Sequence, residues 1–123
     1  MADALYETDG DRFRPTELTR GPWSADAQHG GPPAALLAFC VERHAGTADT
    51  QVARMTVELL RPVPLVPLAV TVRTLRPGKK VQLVEATLRA GDGEVARATA
   101  LRIRIADLPL PAGTTLQIGR AHV

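Results

Sequence analysis

One stretch of this chain is apolar without a break. From Ala34 to Val41 no charged side chain interrupts the run, so a helix built there is hydrophobic on every side and needs cover all round. His29-Gly30-Gly31-Pro32-Pro33 leads directly into it. Proline suits a first helical turn, because its φ is preset and its missing N–H would have no helical partner there. The pattern predicts a helix from about Gly31 to about His44. Gly46 is placed as its stop, and Arg43 and His44 suit its negative end.

Beyond Ala48 the period changes to two. Over Gln51–Leu60, Ala53, Met55, Val57 and Leu59 share one face, and Arg54, Thr56 and Glu58 the other. Pro62 and Pro64 end that strand. Leu68, Val70 and Val72 then alternate with Ala69, Thr71 and Arg73. Arg76-Pro77-Gly78-Lys79 signals a turn, Val81–Leu88 returns, Gly91-Asp92-Gly93 turns again, and Glu94–Ile105 forms the last strand. There Leu101, Ile103 and Ile105 oppose Arg102 and Arg104, while Ala96–Ala100 offers small residues on which a helix can close tightly. Ahead of the helix, Arg12–Leu18 alternates as a first short strand, Gly21-Pro22-Trp23-Ser24 is a turn, and Met1–Thr8 is a polar lead-in. The expected domain covers 12–108, between a flexible lead-in (1–11) and a tail (109–123). Its class is α+β: one long buried helix wrapped by a curved antiparallel sheet of about five strands, which is the element order of a hotdog fold.

Composition removes several function classes. The 123 residues suffice for one core, and a net charge of +2 is spread along the chain. Tyr6, Phe13, Trp23 and Phe39 are the only aromatics besides histidine, so there is no stacking platform and no nucleic-acid partner is expected. No apolar run approaches the roughly 20 residues of a membrane span, so no membrane span is expected. Met1-Ala2-Asp3-Ala4 does not open like a secretory signal. The lone Cys40 reads as a small buried hydrophobe in a reducing, cytoplasmic setting. His44 and His122 have no partners at ligand spacing, so neither a metal nor a cofactor is expected.

The chemistry concentrates at the helix start. Unpaired N–H donors and the positive dipole end of a first turn can hold developing negative charge, as on a thioester carbonyl becoming an oxyanion. Gly30 and Gly31 are the candidate donors. Asp26 either activates a water as general base or caps the Ala27–Gly30 turn. Gln28 could hold a water or a ligand amide but reads first as a solvated loop residue, and His29 either contacts the thioester or fixes the turn. Glu42 lies three turns past Gly30, roughly 15 Å along the axis, too far to share one carbonyl.

Three segments, Gly21-Pro22-Trp23-Ser24, His29-Gly30-Gly31-Pro32 and Val57-Glu58-Leu59-Leu60-Arg61-Pro62-Val63-Pro64-Leu65, together resemble acyl-CoA thioesterases of the hotdog superfamily. More narrowly, the chain resembles the N-terminal repeat of the double-hotdog, acyl-CoA thioesterase II-like proteins. The resemblance covers about Arg12 to Leu108, with Gly78–Ala90 and Val95-Ala96-Arg97-Ala98 fitting the later hairpins. It implies that an acyl-CoA lies in a groove beside the helix, that amides near Gly30 and Gly31 polarise the thioester carbonyl, and that water attacks it. In the two-repeat members the water-activating acid belongs to the second repeat, so that group has no counterpart here. The expected partner is therefore a second repeat or a second copy, and the alternative function is a non-catalytic acyl-CoA-binding or assembly module. Hydratase chemistry fits less well, because Asp26-Ala27-Gln28-His29 is compressed. Arg61, Arg76, Lys79 and Lys80 either meet the CoA phosphates or stay solvated at strand ends. Finally, Ile118-Gly119-Arg120-Ala121-His122-Val123 matches the translation of a common sequencing adapter, so the natural chain is expected to continue beyond about Leu116.

Overall fold

A computed structural model describes residues 2–45 and 49–115. In chain order it contains β1 (Tyr6–Asp9), β2 (Arg12–Pro15), a 3-10 turn (Glu17–Thr19), α1 (Gly31–Glu42), β3 (Thr50–Leu59), β4 (Leu68–Arg76), β5 (Val81–Ala90) and β6 (Gly93–Arg104). The strands make one antiparallel sheet in the order β1-β2-β4-β5-β6-β3, and α1 lies across β3 to β6 on one face. This is the hotdog arrangement. It has six strands rather than five, because the lead-in expected to be loose holds β1. Gly10, at φ 62°, turns β1 into β2, and the register runs from Tyr6↔Pro15 to Asp9↔Arg12. That hairpin joins the main sheet through one register pair, Phe13↔Leu68.

Small residues set the distance between helix and sheet. Ala86 on β5 and Ala96, Ala98 and Ala100 on β6 are fully buried, in one cluster with Leu36, Leu37 and Val41 of α1. Without long side chains there, the helix packs close to the strands. The same face of β6 ends in Arg102, only 3% exposed, whereas Ile103 and Ile105 are exposed. The expected inward face of this segment is therefore reversed. Strand parity carries the alanine face on to residue 102, and the helix end satisfies the guanidinium that lands there. Arg102 Nη1 donates to the Val41 carbonyl, and its Nε donates to Thr50 Oγ1 at 2.8 Å. A cation at the last turn also complements the negative end of α1. Burial lowers the Arg102 pKa, against the nearby Glu42 carboxylate, which raises it.

On β3 a bulge falls between Val52 and Arg54, so Val52 joins Met55 and Val57 at the core instead of Ala53. Nor is α1 wrapped on every side. Gly31, Ala35, Phe39 and Glu42 form one exposed stripe along it. The helix ends at Glu42 with Arg43 as its C-cap, short of His44. Gly46 and the adapter-like end, with His122, lie outside the described residues. Among the described residues, no helix is long and apolar enough to cross a membrane.

Candidate active site at the amino end of the helix

The loop before α1 is stitched to its surroundings by backbone bonds. Gly21 N–H donates to the Ala27 carbonyl (2.9 Å), Gln28 N–H to Val63 (2.8 Å) and His29 N–H to Thr19 (2.9 Å). Glycine at 21 lets this closure form tightly, since a Cβ there would stand 3.0 Å from the His29 nitrogen and push it back by a few tenths of an ångström. Gln28 is buried, not solvated as expected. Its Nε2 donates to the Pro64 carbonyl (2.9 Å), and its Oε1 accepts from the Tyr6 hydroxyl (2.5 Å). One side chain thus ties the β1–β2 hairpin, the pre-helix loop and the segment after β3. Burial pushes the Tyr6 phenol well above its usual value, which keeps it a donor.

The prolines sharpen the donor set. Pro32 and Pro33 occupy the first turn, are fully buried and carry no N–H. Ala34 N–H already bonds the Gly30 carbonyl at 3.4 Å. Of the three amides that open the turn, only that of Gly31 remains, with the Gly30 N–H beside it. Gly30 itself is unstrained, at φ −70° and ψ −24°. Space is what it supplies: a Cβ would meet Leu59 Cδ1 at 3.2 Å.

A hollow of about 310 Å³ opens here, lined by Gln28, His29, Gly30, Leu59, Arg61 and Pro62. Three of the candidates, His29, Gly30 and Arg61, are thereby brought together. The His29 ring also lies over Gly31, with Nδ1 3.6 Å from where a Cβ would stand. Asp26 does not line the hollow; it is exposed, and its N–H bonds Ser24 Oγ at 3.2 Å. Lys79 and Lys80 form the β4–β5 turn, where the Lys80 carbonyl accepts from Arg104 N–H at 2.9 Å. Arg104 pairs with Thr50, at the opposite end of β3 from Leu59. Ten strand residues separate those ends by about 30 Å, so within one chain neither lysine, nor Arg76 beside them, joins Arg61. Glu42 is exposed at the far end of α1, and His44 Nε2 bonds Thr74 Oγ1 at 3.0 Å. Burial raises the half-buried Cys40 thiol, against the opposing pull of Arg43.

On the other flank of α1 is an apolar cavity of about 290 Å³, walled by Leu5, Tyr6, Phe13, Ala35, Leu36 and Phe39. Sequence reasoning missed it along with β1. The signal was present in the Gly10-Asp11 turn between two short runs holding Tyr6 and Phe13. Among the described residues, no three His, Cys, Asp or Glu side chains gather as a metal site would require.

Known structures share this architecture. A Thermus thermophilus thioesterase complexed with coenzyme A is 20% identical, with a TM-score of 0.65 over 82% of this chain and 89% of its own. A Streptococcus mutans protein bound to acetyl-CoA is 15% identical, with a TM-score of 0.68 over 85% and 92%. An Alicyclobacillus acidocaldarius protein with a hotdog fold is 18% identical, with a TM-score of 0.66 over 94% of this chain but 43% of its own. At such identities the likeness shows the fold. No curated protein sequence matches the chain. Residues 19–103, which span the loop, the helix and β3 to β6, match the family model of the acyl-CoA thioesterase N-terminal domain, and the chain belongs to that family.

Proposed function

We propose that this chain supplies one half of an acyl-CoA thioesterase site, the half that holds the thioester carbonyl. The observation that carries this reading is the hollow at the amino end of α1, which Gly30, His29 and Arg61 line together, with Gly31 next to it as the first residue of the helix. Water adds to the carbonyl carbon, the oxyanion of the tetrahedral intermediate is held by the two amides, and the carbon–sulfur bond then breaks to release the acid and CoA. Arg61 offers its cation to a CoA phosphate at the mouth. Lys79 and Lys80 reach the same CoA only when a second hotdog unit presents them from its own β4–β5 turn.

That second unit, a repeat or another copy, also brings the group that activates the water. Several features support this. The matching family is an N-terminal domain, and the Alicyclobacillus hotdog chain is more than twice the length aligned. The helix stripe is open, and Leu59 and Leu60 are 52% and 42% exposed. On this reading residues 12–108 form the first repeat of a double hotdog, widened by β1, in a cytoplasmic enzyme of the acyl-CoA thioesterase II type.

One observation favours a second reading. Among the described residues no carboxylate lines the hollow, and Asp26 stands outside it, so a non-catalytic acyl-CoA-binding module would look the same. Hydrolysis of acyl-CoAs by the purified chain, followed by thiol release, separates the two. Turnover that falls about a hundredfold in Gly30→Val, the cost of a displaced oxyanion donor, supports the enzyme. Tight binding without turnover supports the module, and neither binding nor turnover removes both.

A further inference from the structure

The face of the sheet turned away from α1 carries a second polar hollow, of about 450 Å³. Arg73 of β4, Arg89 of β5 and Arg97 of β6 line it, with Thr71 and Thr87 between them. It shares no residue with the hollow at Arg61. Strand parity sends these side chains outward, because Val84, Ala86 and Leu88 of β5 and Ala96 and Ala98 of β6 face the core. Between Leu88 and Arg89 the register of β5 against β6 slips past Val95. That bulge moves Glu94 to the outer face, beside Arg97, instead of toward the helix.

Thr87 is the centre of the group. Arg97 stands opposite it on β6, roughly 5 Å away between backbones. Arg89 is two residues along β5, about 7 Å, and Arg73 is its diagonal neighbour on β4, about 7–8 Å. Three long side chains can therefore bring their guanidiniums together above two threonine hydroxyls. The carboxylates lie lower, with the Glu85 and Glu94 side chains 20% and 30% exposed against 69% and 44% for Arg73 and Arg97. Arg73 Nε donates to Glu85 Oε1 at 2.9 Å, and Arg97 Nε lies 3.2 Å from Glu94 Oε1. Contact through Nε orients each guanidinium and leaves its Nη1 and Nη2 donors for another acceptor. Arg89 has no ion pair among the described residues. Three arginines against two glutamates leave the hollow positive.

We infer that this hollow binds a diphosphate group, either free or as part of a larger phosphorylated molecule. A guanidinium fork matches phosphoryl oxygens two at a time, and threonine hydroxyls donate to those left over. Three forks around one point offer more donors than a carboxylate has oxygens to accept, whereas two linked phosphoryl groups can engage them all. An anion arriving from water meets the arginines before the deeper carboxylates. The whole chain carries only +2, so diffuse attraction is weak and binding has to come from this local arrangement.

Calorimetric titration of the full chain with inorganic phosphate, inorganic pyrophosphate and ADP tests this at about 150 mM salt, where exposed charges are screened beyond roughly 8 Å. Pyrophosphate is expected to bind about tenfold tighter than phosphate, through the second phosphoryl group. Equal affinity for ADP means that the diphosphate is read within a nucleotide, and weaker binding of ADP means that it is read free; both support the inference. Arg89→Gln should weaken pyrophosphate about tenfold, and Arg89→Lys, which keeps the charge without the fork, should fall between. Arg61→Ala should leave pyrophosphate binding unchanged. Thermal melts by circular dichroism establish that each variant is folded. Loss in Arg61→Ala with none in Arg89→Gln moves the anion to the helix end and overturns the inference. So does equal affinity in the wild type, Arg89→Gln and Arg97→Gln, which reduces the binding to general charge. A fall in molecular mass in Arg89→Gln by light scattering, without pyrophosphate binding to the wild type, assigns the face to a second copy instead. No binding of any probe by the folded wild type also overturns the inference, and leaves the thioester reading untouched.

Discussion

Tyr6 shows how much one side chain can decide. It is the only tyrosine, and burial raises its pKa above the ordinary 10.0. The folded chain therefore holds the phenolic proton more tightly than the unfolded chain. Its contribution to stability is complete below about pH 9 and is lost as pH rises through 10 and above. An absorbance titration of the phenolate should show no ionisation at pH 10 in the folded protein, and half-ionisation near that pH in denaturant. Tyr6→Phe abolishes this pH dependence and also leaves the buried Gln28 Oε1 without its donor, at a cost of about 1–3 kcal/mol, read from urea denaturation. An unchanged midpoint would mean that Gln28 holds the loop without the hairpin. The sequence did not reveal this pair, because residues 22 positions apart share no local pattern. His29, Gly30 and Arg61 were legible, since turn chemistry and the Leu-Arg-Pro segment mark them. Lys79 and Lys80 were grouped with Arg61 because charge can be read from sequence but the end of a sheet cannot.

At the scale of elements, alternation predicted β4, β5 and β6 and the alanine face that takes the helix, but it failed where a non-local partner reversed a local preference. A rule that keeps arginine outside put Leu101, Ile103 and Ile105 inward. Parity from Ala96 puts Arg102 there instead, and the carbonyl that satisfies it is 61 positions away. The bulge at Val52 is likewise set by pairing with β6, not by any residue in β3 alone. Arg102→Met tests how firmly this bond closes the helix onto the sheet. Methionine fills the volume but donates nothing to Val41 or Thr50, so the variant should lose about 2 kcal/mol, seen as a lower urea midpoint at an unchanged slope. Arg102→Lys keeps the charge without the planar fork and should fall between the two. Equal midpoints for all three proteins would reduce Arg102 to a passive occupant of its place.

For the whole molecule, the question is what stands against its open side. β3 pairs with β6 along one edge, and among the described residues no strand pairs along the other. Leu59 and Leu60 are exposed at one end of that edge, and the Gly31–Ala35–Phe39 stripe stays open on α1. An unpaired edge beside apolar surface favours association, so the chain should grow in mass with concentration by light scattering. A charge on the edge opposes such pairing. Ala53 is exposed at the bulge, and Ala53→Lys with Leu60→Lys should return the chain to monomer mass without a large loss of stability, since neither side chain belongs to the core. A wild-type chain that stays monomeric at every concentration would rule out the second copy. A covalently linked second repeat would then be the remaining source of the water-activating group, and adding it back should restore turnover that the single unit lacks.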